Sequence, residues 1–212
     1  MERPLDDATD PVLSSHHMVI APTDLRIHRT RERILDSGLA AVTTHGLSRF
    51  TMDDVARLAG LSRQSVYRYF DSKDALVMAI VEREEETFID GVRDAYARCE
   101  DLEDAMREAV LFCLRAAREH PLLDRLLASE PETLLPYLTI RAGGLIARAR
   151  SVLEELATER PGVDPRLAHR SADLGVRAII SHTLTPADDP PEEVAEGIAR
   201  ILVSALTEEV PR

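Results

Sequence analysis

An all-α fold is predicted by three features of this 212-residue sequence. From residue 25 onward, apolar residues recur three and four apart in every long segment, the spacing of one helix face. Glycine and proline sit at most of the joints between those segments, where helices stop and start. Residues 51–76, TMDDVARLAGLSRQSVYRYFDSKDAL, read as two short helices joined by a glycine turn, with a third helix starting behind them. About nine helices are expected.

Composition narrows the class. Hydrophobic residues make up 44% and charged residues 30%, the balance of a globular chain able to bury a core. No apolar run is long enough to span a bilayer, and the acidic, proline-containing start is unlike a signal peptide, so no membrane partner is expected. Cys99 and Cys113 are the only cysteines. They lack metal-ligand spacing and give no disulfide framework, which favours a reducing cytoplasm. The sequence has no nucleophile elbow, phosphate-binding glycine loop, dinucleotide fingerprint or zinc-type His-Glu-x-x-His. Neither enzymatic activity nor a metal or cofactor is expected.

The net charge of −12 is unevenly spread. Residues 26–73 hold nine Lys or Arg against five acids, a balance of +4, whereas residues 1–25 carry −4 and residues 74–212 carry −12. Phosphate binding responds to local charge, so the basic stretch is where nucleic acid would be met.

Residues 1–24 are rich in Pro, Ser, Thr and Asp, show no periodicity and read as a flexible arm. The adjacent His16 and His17 are poorly placed to share a metal. The first helix is expected over residues 25–44, capped by Thr23 or Asp24. Ile27, Ile34, Leu35, Leu39 and Val42 form its buried stripe, and Arg26, Arg29, Arg31 and Arg33 crowd its first turns. Gly46 ends it, and Leu47 and Phe50 pack beneath the next two helices. Thr51 caps the second helix, with Asp53 and Asp54 in the first turn, where the helix dipole favours negative charge. Met52, Val55, Ala56 and Ala59 give that helix one apolar face, and Gly60 supplies a left-handed cap. Ser62 caps the third helix, residues 62–70. Val66 and Phe70 point inward there, leaving Arg63, Gln64, Arg68 and Tyr69 outside.

A fourth helix is expected over residues 73–99, with a bend at Gly91, and a fifth over 102–120. Pro121 marks a boundary before a short helix, residues 122–128. The next helix, 132–158, is weakened in its middle by Gly143-Gly144. Pro161-Gly162 is a turn. Helices over residues 165–183 and 192–207, joined by a proline-rich loop, close the chain. The last carries Val194, Ile198, Ile201, Leu202 and Ala205 on one stripe.

Two short helices joined by a glycine turn make a helix-turn-helix, whose second helix can enter the DNA major groove. Its outward residues suit base reading. Arg63 or Arg68 can donate a bidentate pair to guanine and Gln64 to adenine, while Ser62 and Ser65 can bond base edges or phosphate. A solvated helical hairpin in an ordinary α domain would show the same spacing.

The wording of the stretch goes further. Thr51, Val55-Ala56, Ala59-Gly60-Leu61-Ser62, Tyr67, Phe70, Lys73 and Leu76 stand at the spacing of the DNA-binding signature of TetR-type transcriptional regulators. The chain resembles that family over residues 26–80, with Tyr69 where the family often has His. The resemblance implies a DNA-binding head over residues 25–72, with a regulatory and dimerisation domain over 73–212. It adds Arg26, Arg29, Thr51, Tyr67, Tyr69 and Lys73 to the DNA-facing set. It also implies a ligand-responsive repressor, acting as a homodimer on a palindromic double-stranded operator with half-sites about one helical turn apart or somewhat further.

The same resemblance implies a small-molecule pocket between about residues 80 and 185. Phe88, Tyr96, Phe112 and Tyr137 are candidates for stacking, Met106, Cys113 and Leu114 for an aliphatic wall, and Arg141, Arg177 and His182 for a polar anchor. With aromatics at only 4% of the chain, an apolar or amphipathic effector is expected. The last two helices match the hairpin that the family pairs across a two-fold axis, with Ile179, Ile180, Ile198, Ile201, Leu202 and Ala205 as interface candidates. They equally suit completion of their own chain's core. Two other readings stay open: a regulator without a small-molecule effector, and a helical enzyme or ligand carrier with a vestigial helix-turn-helix.

Overall fold

The computed structural model describes residues 22–207, and among them every regular element is a helix. Ten helices succeed one another in chain order: α1 Pro22–His45, α2 Met52–Ala59, α3 Arg63–Tyr69, α4 Lys73–Ala97, α5 Leu102–Glu119, α6 Pro121–Ser129, α7 Pro131–Leu138, α8 Gly143–Thr158, α9 Pro165–Leu184 and α10 Pro191–Thr207. The arm predicted over residues 1–24 lies outside the described residues, apart from 22–24, which already belong to α1. Pro22 suits that start, because a proline at the first helical position gives up an amide the helix does not use.

The one helix expected over residues 132–158 is two. Pro136 lies inside α7 and lacks the amide a helix interior needs, and the chain leaves helical geometry at Thr139, with φ −128° and ψ −98°. The amide of Arg141 turns back to the Pro136 carbonyl at 2.7 Å, and Gly143-Gly144 open α8 rather than kinking a longer helix. Nor does Gly91 interrupt α4. It sits within a continuous helix, where the absence of a Cβ lets the Phe112 ring of α5 lie against the backbone.

Burial sorts the chain into two cores. The first is built on Ile34, Leu35, Val42, Phe50, Val55 and Val66, closed by Leu76 and Ile80 from the start of α4. The second gathers Val92 and Tyr96 from the end of α4 with Val110 and Leu114 of α5, Leu153 and Leu156 of α8, Val176 of α9 and Leu202 of α10. The helix α4 therefore serves both cores as one continuous rod. It is tied to α1 by a partly buried cluster in which Arg83 Nη1 donates to Asp36 Oδ1 at 2.7 Å and Nη2 to Glu84 Oε1 at 3.1 Å, with Glu32 Oε2 3.4 Å away.

Candidate DNA-binding head and effector cavity

The head is assembled by caps that are local in sequence. At α2, the Asp54 amide donates to Thr51 Oγ1 at 3.2 Å and the Thr51 amide donates to Asp54 Oδ2 at 3.0 Å, a reciprocal capping box. Hydrogen bonds from the Thr51 hydroxyl, then from Arg57, hold the Asp54 carboxyl down at about 2. Gly60 ends the helix with φ +62°, and its amide reaches back to the carbonyls of Ala56 and Arg57. Two residues on, Ser62 Oγ accepts from the Ser65 amide at 3.1 Å and starts α3. Val66 has no exposed surface and pins α3 to the core, a burial that stabilises by about 1.5–3 kcal/mol.

That anchorage decides what α3 shows to solvent. Ser62, Arg63, Gln64 and Arg68 are exposed, as are Thr51, Arg26 and Arg29; Ser65, Tyr67, Tyr69 and Lys73 are half-buried. Tyr69, expected wholly outside, packs in part against the head core, as Tyr67 does. The Arg63 guanidinium lies over the Tyr67 ring, 5.4 Å from its centroid, and Arg68 lies over Tyr69 at 5.7 Å. Lys73 is turned inward. Its Nζ donates to the Ser48 carbonyl at 3.1 Å and sits 4.3 Å from the Phe50 centroid, so it fastens the turn before α2. An ammonium has three donors, and the remaining ones are free to face a phosphate.

In the second core a cavity of about 240 Å³ opens between α4, α5, α6, α7, α8 and α9. Its wall is almost wholly apolar, with Phe88, Ile89, Val152, Val176, Ile179 and Ile180 among the lining side chains. The few polar groups there already have partners. Glu85 Oε1 is 3.0 Å from Arg148 Nε, and the Thr183 hydroxyl donates to the Ile179 carbonyl at 2.9 Å. The His120 ring caps α6, accepting from the Leu123 amide at 3.4 Å, which leaves Nε2 as the protonated nitrogen facing Glu84 Oε2 at 3.2 Å.

Of the pocket residues expected from sequence, Phe88 and Cys113 line this cavity. Burial pushes the Cys113 thiol up to about 12. Met106 is displaced to a separate small cleft beside Ser171 and Leu206, and the Phe112 ring packs tilted against Phe88, 5.7 Å between centroids, without joining the wall. Arg141 is exposed in the turn before α8, and the exposed Arg177 pairs with Asp173 of its own helix at 2.8 Å. His182 is half-buried but stands outside the lining, and the Tyr137 side chain lies outside the described residues. Sequence reasoning missed His120, Glu85 and Thr183.

The interface candidates divide similarly. Ile198 and Leu202 are buried in their own chain's core, and Ile179 and Ile180 face the cavity. Ile201 is 67% exposed, Ala205 is half-buried, and Leu174, not among the candidates, is 58% exposed. Among the described residues, no helix is long and apolar enough to cross a membrane, and no three His, Cys, Asp or Glu cluster in a way that could hold a metal.

A capped helix-turn-helix carried on a long rod that also bounds an apolar cavity is the architecture of a DNA-binding transcriptional regulator. Comparison with known proteins makes the assignment specific. Residues 34–80 match the family described as "Bacterial regulatory proteins, tetR family", and residues 101–204 match "Bacterial Tetracyclin repressor, C-terminal domain". The chain belongs to the TetR family of transcriptional regulators. Among its relatives is the crystal structure of the TetR family repressor AlkX from Dietzia sp. strain DQ12-45-1b, implicated in biodegradation of n-alkanes. It is 30% identical, with a TM-score of 0.64, over 83% of this chain and 94% of that one. The HTH-type regulator AlkX of Mycobacterium tuberculosis is 29% identical over 81% of this chain and 82% of its own. An uncharacterised HTH-type regulator of the same species is 28% identical over 86% and 88%.

Proposed function

We propose that this regulator is a ligand-responsive repressor that acts in the cytoplasm as a homodimer on a palindromic operator. Each protomer presents α3 to one major groove. Arg63, Gln64 and Arg68 read base edges, Ser62 and Ser65 bond base edges or phosphate, and Tyr67, Lys73, Arg26, Arg29 and Thr51 hold the backbone. The observation that carries the ligand response is the apolar cavity against α4, because the same rod closes the head core with Leu76 and Ile80. A molecule that fills the cavity acts on the rod and so on the separation of the two heads. A coupling on the order of 1–3 kcal/mol is enough to release the operator.

The wall chemistry favours an effector with an apolar body. It offers hydrocarbon surface throughout and only polar groups that are already partnered. The relative implicated in n-alkane biodegradation supports the same choice. For the dimer, Leu174 on α9 and Ile201 on α10 flank the close approach of Gly175 to Leu202 between these two helices. Their exposed apolar side chains suit burial against a second copy in a four-helix bundle. The test is operator binding with and without a graded series of n-alkanes, alkanols and fatty acids. Dissociation by one chain-length window supports the proposal; indifference to the whole series contradicts an apolar effector.

A further inference from the structure

Away from α4, the head is also met by α6, through Leu122 and through a carboxylate just beyond its end. Glu130, between α6 and α7, is only 9% exposed. Its Oε2 accepts from the Ser48 amide at 3.2 Å and from Ser48 Oγ at 2.7 Å, across 82 residues of sequence. The Ser48 hydroxyl does most to hold this carboxyl below the usual glutamate range; partial desolvation opposes it, and the backbone of Ser48 and Leu47 adds to it.

The receiving turn is built for the contact. Gly46 takes φ +85°, which few other residues adopt, and a Cβ there would occupy the place of Glu130 Oε1. The turn is held from two sides: Lys73, at the start of α4, binds the Ser48 carbonyl, and Glu130, between α6 and α7, binds its amide and hydroxyl. Three residues later comes Thr51, the cap of α2. At the other end of α6, His120 lines the cavity, and Leu122 packs on the head core. One nine-residue helix thus runs from the cavity wall to the turn that leads into the helix-turn-helix.

We propose that Glu130 is a positioning residue for DNA recognition: by docking on the turn at residues 46–48, it fixes the angle of α3 relative to the regulatory core. Without it the head is attached through α4, the side-chain contacts of α1 and the packing of Leu122, and it can pivot about α4. The inference rests on the two-headed reading under Proposed function, since a dimer needs its recognition helices at one spacing.

The test separates positioning from stability. The wild-type protein selects its palindromic site from random duplex DNA, and affinities are then measured on that site and on versions with the centre lengthened or shortened by one and two base pairs. Glu130→Ala is expected to lose about tenfold on the best site and to broaden the spacing optimum. Glu130→Gln, whose one side-chain oxygen can take both Ser48 donors, is expected to keep the wild-type profile. Ser48→Ala, which removes the shorter bond, shifts in the same sense as Glu130→Ala and serves if that variant does not fold. A Glu130→Ala or Ser48→Ala protein with an optimum as sharp as wild type overturns the inference, whatever its melting temperature. A wild-type protein indifferent to spacing overturns the two-headed reading and the inference with it.

Discussion

Arg63 Nη1 of α3 donates to Asp53 Oδ2 of α2 at 3.0 Å, so one of the two arginines proposed to read guanine is held by its own head. Both side chains are more than half exposed, and water and salt screen such a pair so that it contributes little. DNA can therefore take Arg63 away from Asp53 at little cost. Asp53→Asn is predicted to tighten operator binding by a few-fold or less, whereas Arg63→Ala should lose about 1–3 kcal/mol and relax specificity at one position. Competition titrations on operators with single base changes measure both. Weaker binding by Asp53→Asn would show that the pair pre-orients the guanidinium instead of restraining it.

The other head residues divide by role. Gln64→Ala is predicted to change base preference, whereas Tyr67→Ala and Lys73→Ala weaken binding to every sequence and lower the salt slope. Lys73→Ala carries a second consequence, because it also releases the Ser48 carbonyl. Its melting temperature should fall as well. Equal losses on all sequences for all three variants would contradict this division.

The capping box sets an acid limit on the head. The folded Asp54 carboxyl sits at about 2 against an ordinary 3.8, so its contribution is fully present above the ordinary value and is lost as pH falls toward 2. Glu130, also lowered, acts in the same direction from its ordinary 4.5 downward. Asp54→Asn should flatten the acid limb of the stability curve, and Thr51→Ala should cost about 1 kcal/mol at neutral pH. Melts followed by circular dichroism between pH 2 and 7 read both.

Filling the cavity should separate sensing from DNA binding. Ala149 and Ala117 both line it, and Ala149→Leu or Ala117→Leu places new side-chain volume inside. Operator affinity should stay at the wild-type value and stability should hold or rise by about 0.5–2 kcal/mol, while the response to an apolar effector is lost. Cys113 provides an independent reading. Buried, with its thiol pushed up to about 12, it should resist iodoacetamide in the folded protein at pH 8. Rapid alkylation there would mean that the cavity opens to solvent.

The α9–α10 face gives a test of assembly. Leu174→Glu or Ile201→Glu places charge where apolar side chains are 58% and 67% exposed in the single chain. Sedimentation should show a monomer that is folded but binds the palindrome far more weakly. An unchanged dimer would put the interface elsewhere.

Legibility in the sequence tracks the range of the interactions. The head was readable because Thr51, Gly60 and Ser62 bond backbone groups within a few residues, and helical spacing alone marks Val66 as inward-facing. The cavity was not, because its wall is contributed by six helices. Periodicity could place Met106 on an inner face but could not tell a cleft beside Ser171 from the cavity beside Phe88. Arg141 and Arg177 looked like polar intrusions in apolar runs; one lies in the turn made after Pro136, and the other is satisfied by Asp173 four residues earlier. His120 and Pro121 read only as a boundary, although the ring both caps α6 and faces the cavity. No local signal points from Glu130 to Ser48.

The most direct measurement is fluorescence anisotropy of the purified protein on the palindrome it selects, against scrambled DNA, across a range of salt concentrations. The predicted result is tight, selective binding by two protomers, with an affinity that falls linearly in the logarithm of salt concentration. Selective binding that one apolar ligand abolishes would complete the account of the repressor. Equal affinity for palindrome and scrambled DNA, or binding insensitive to salt, would contradict it.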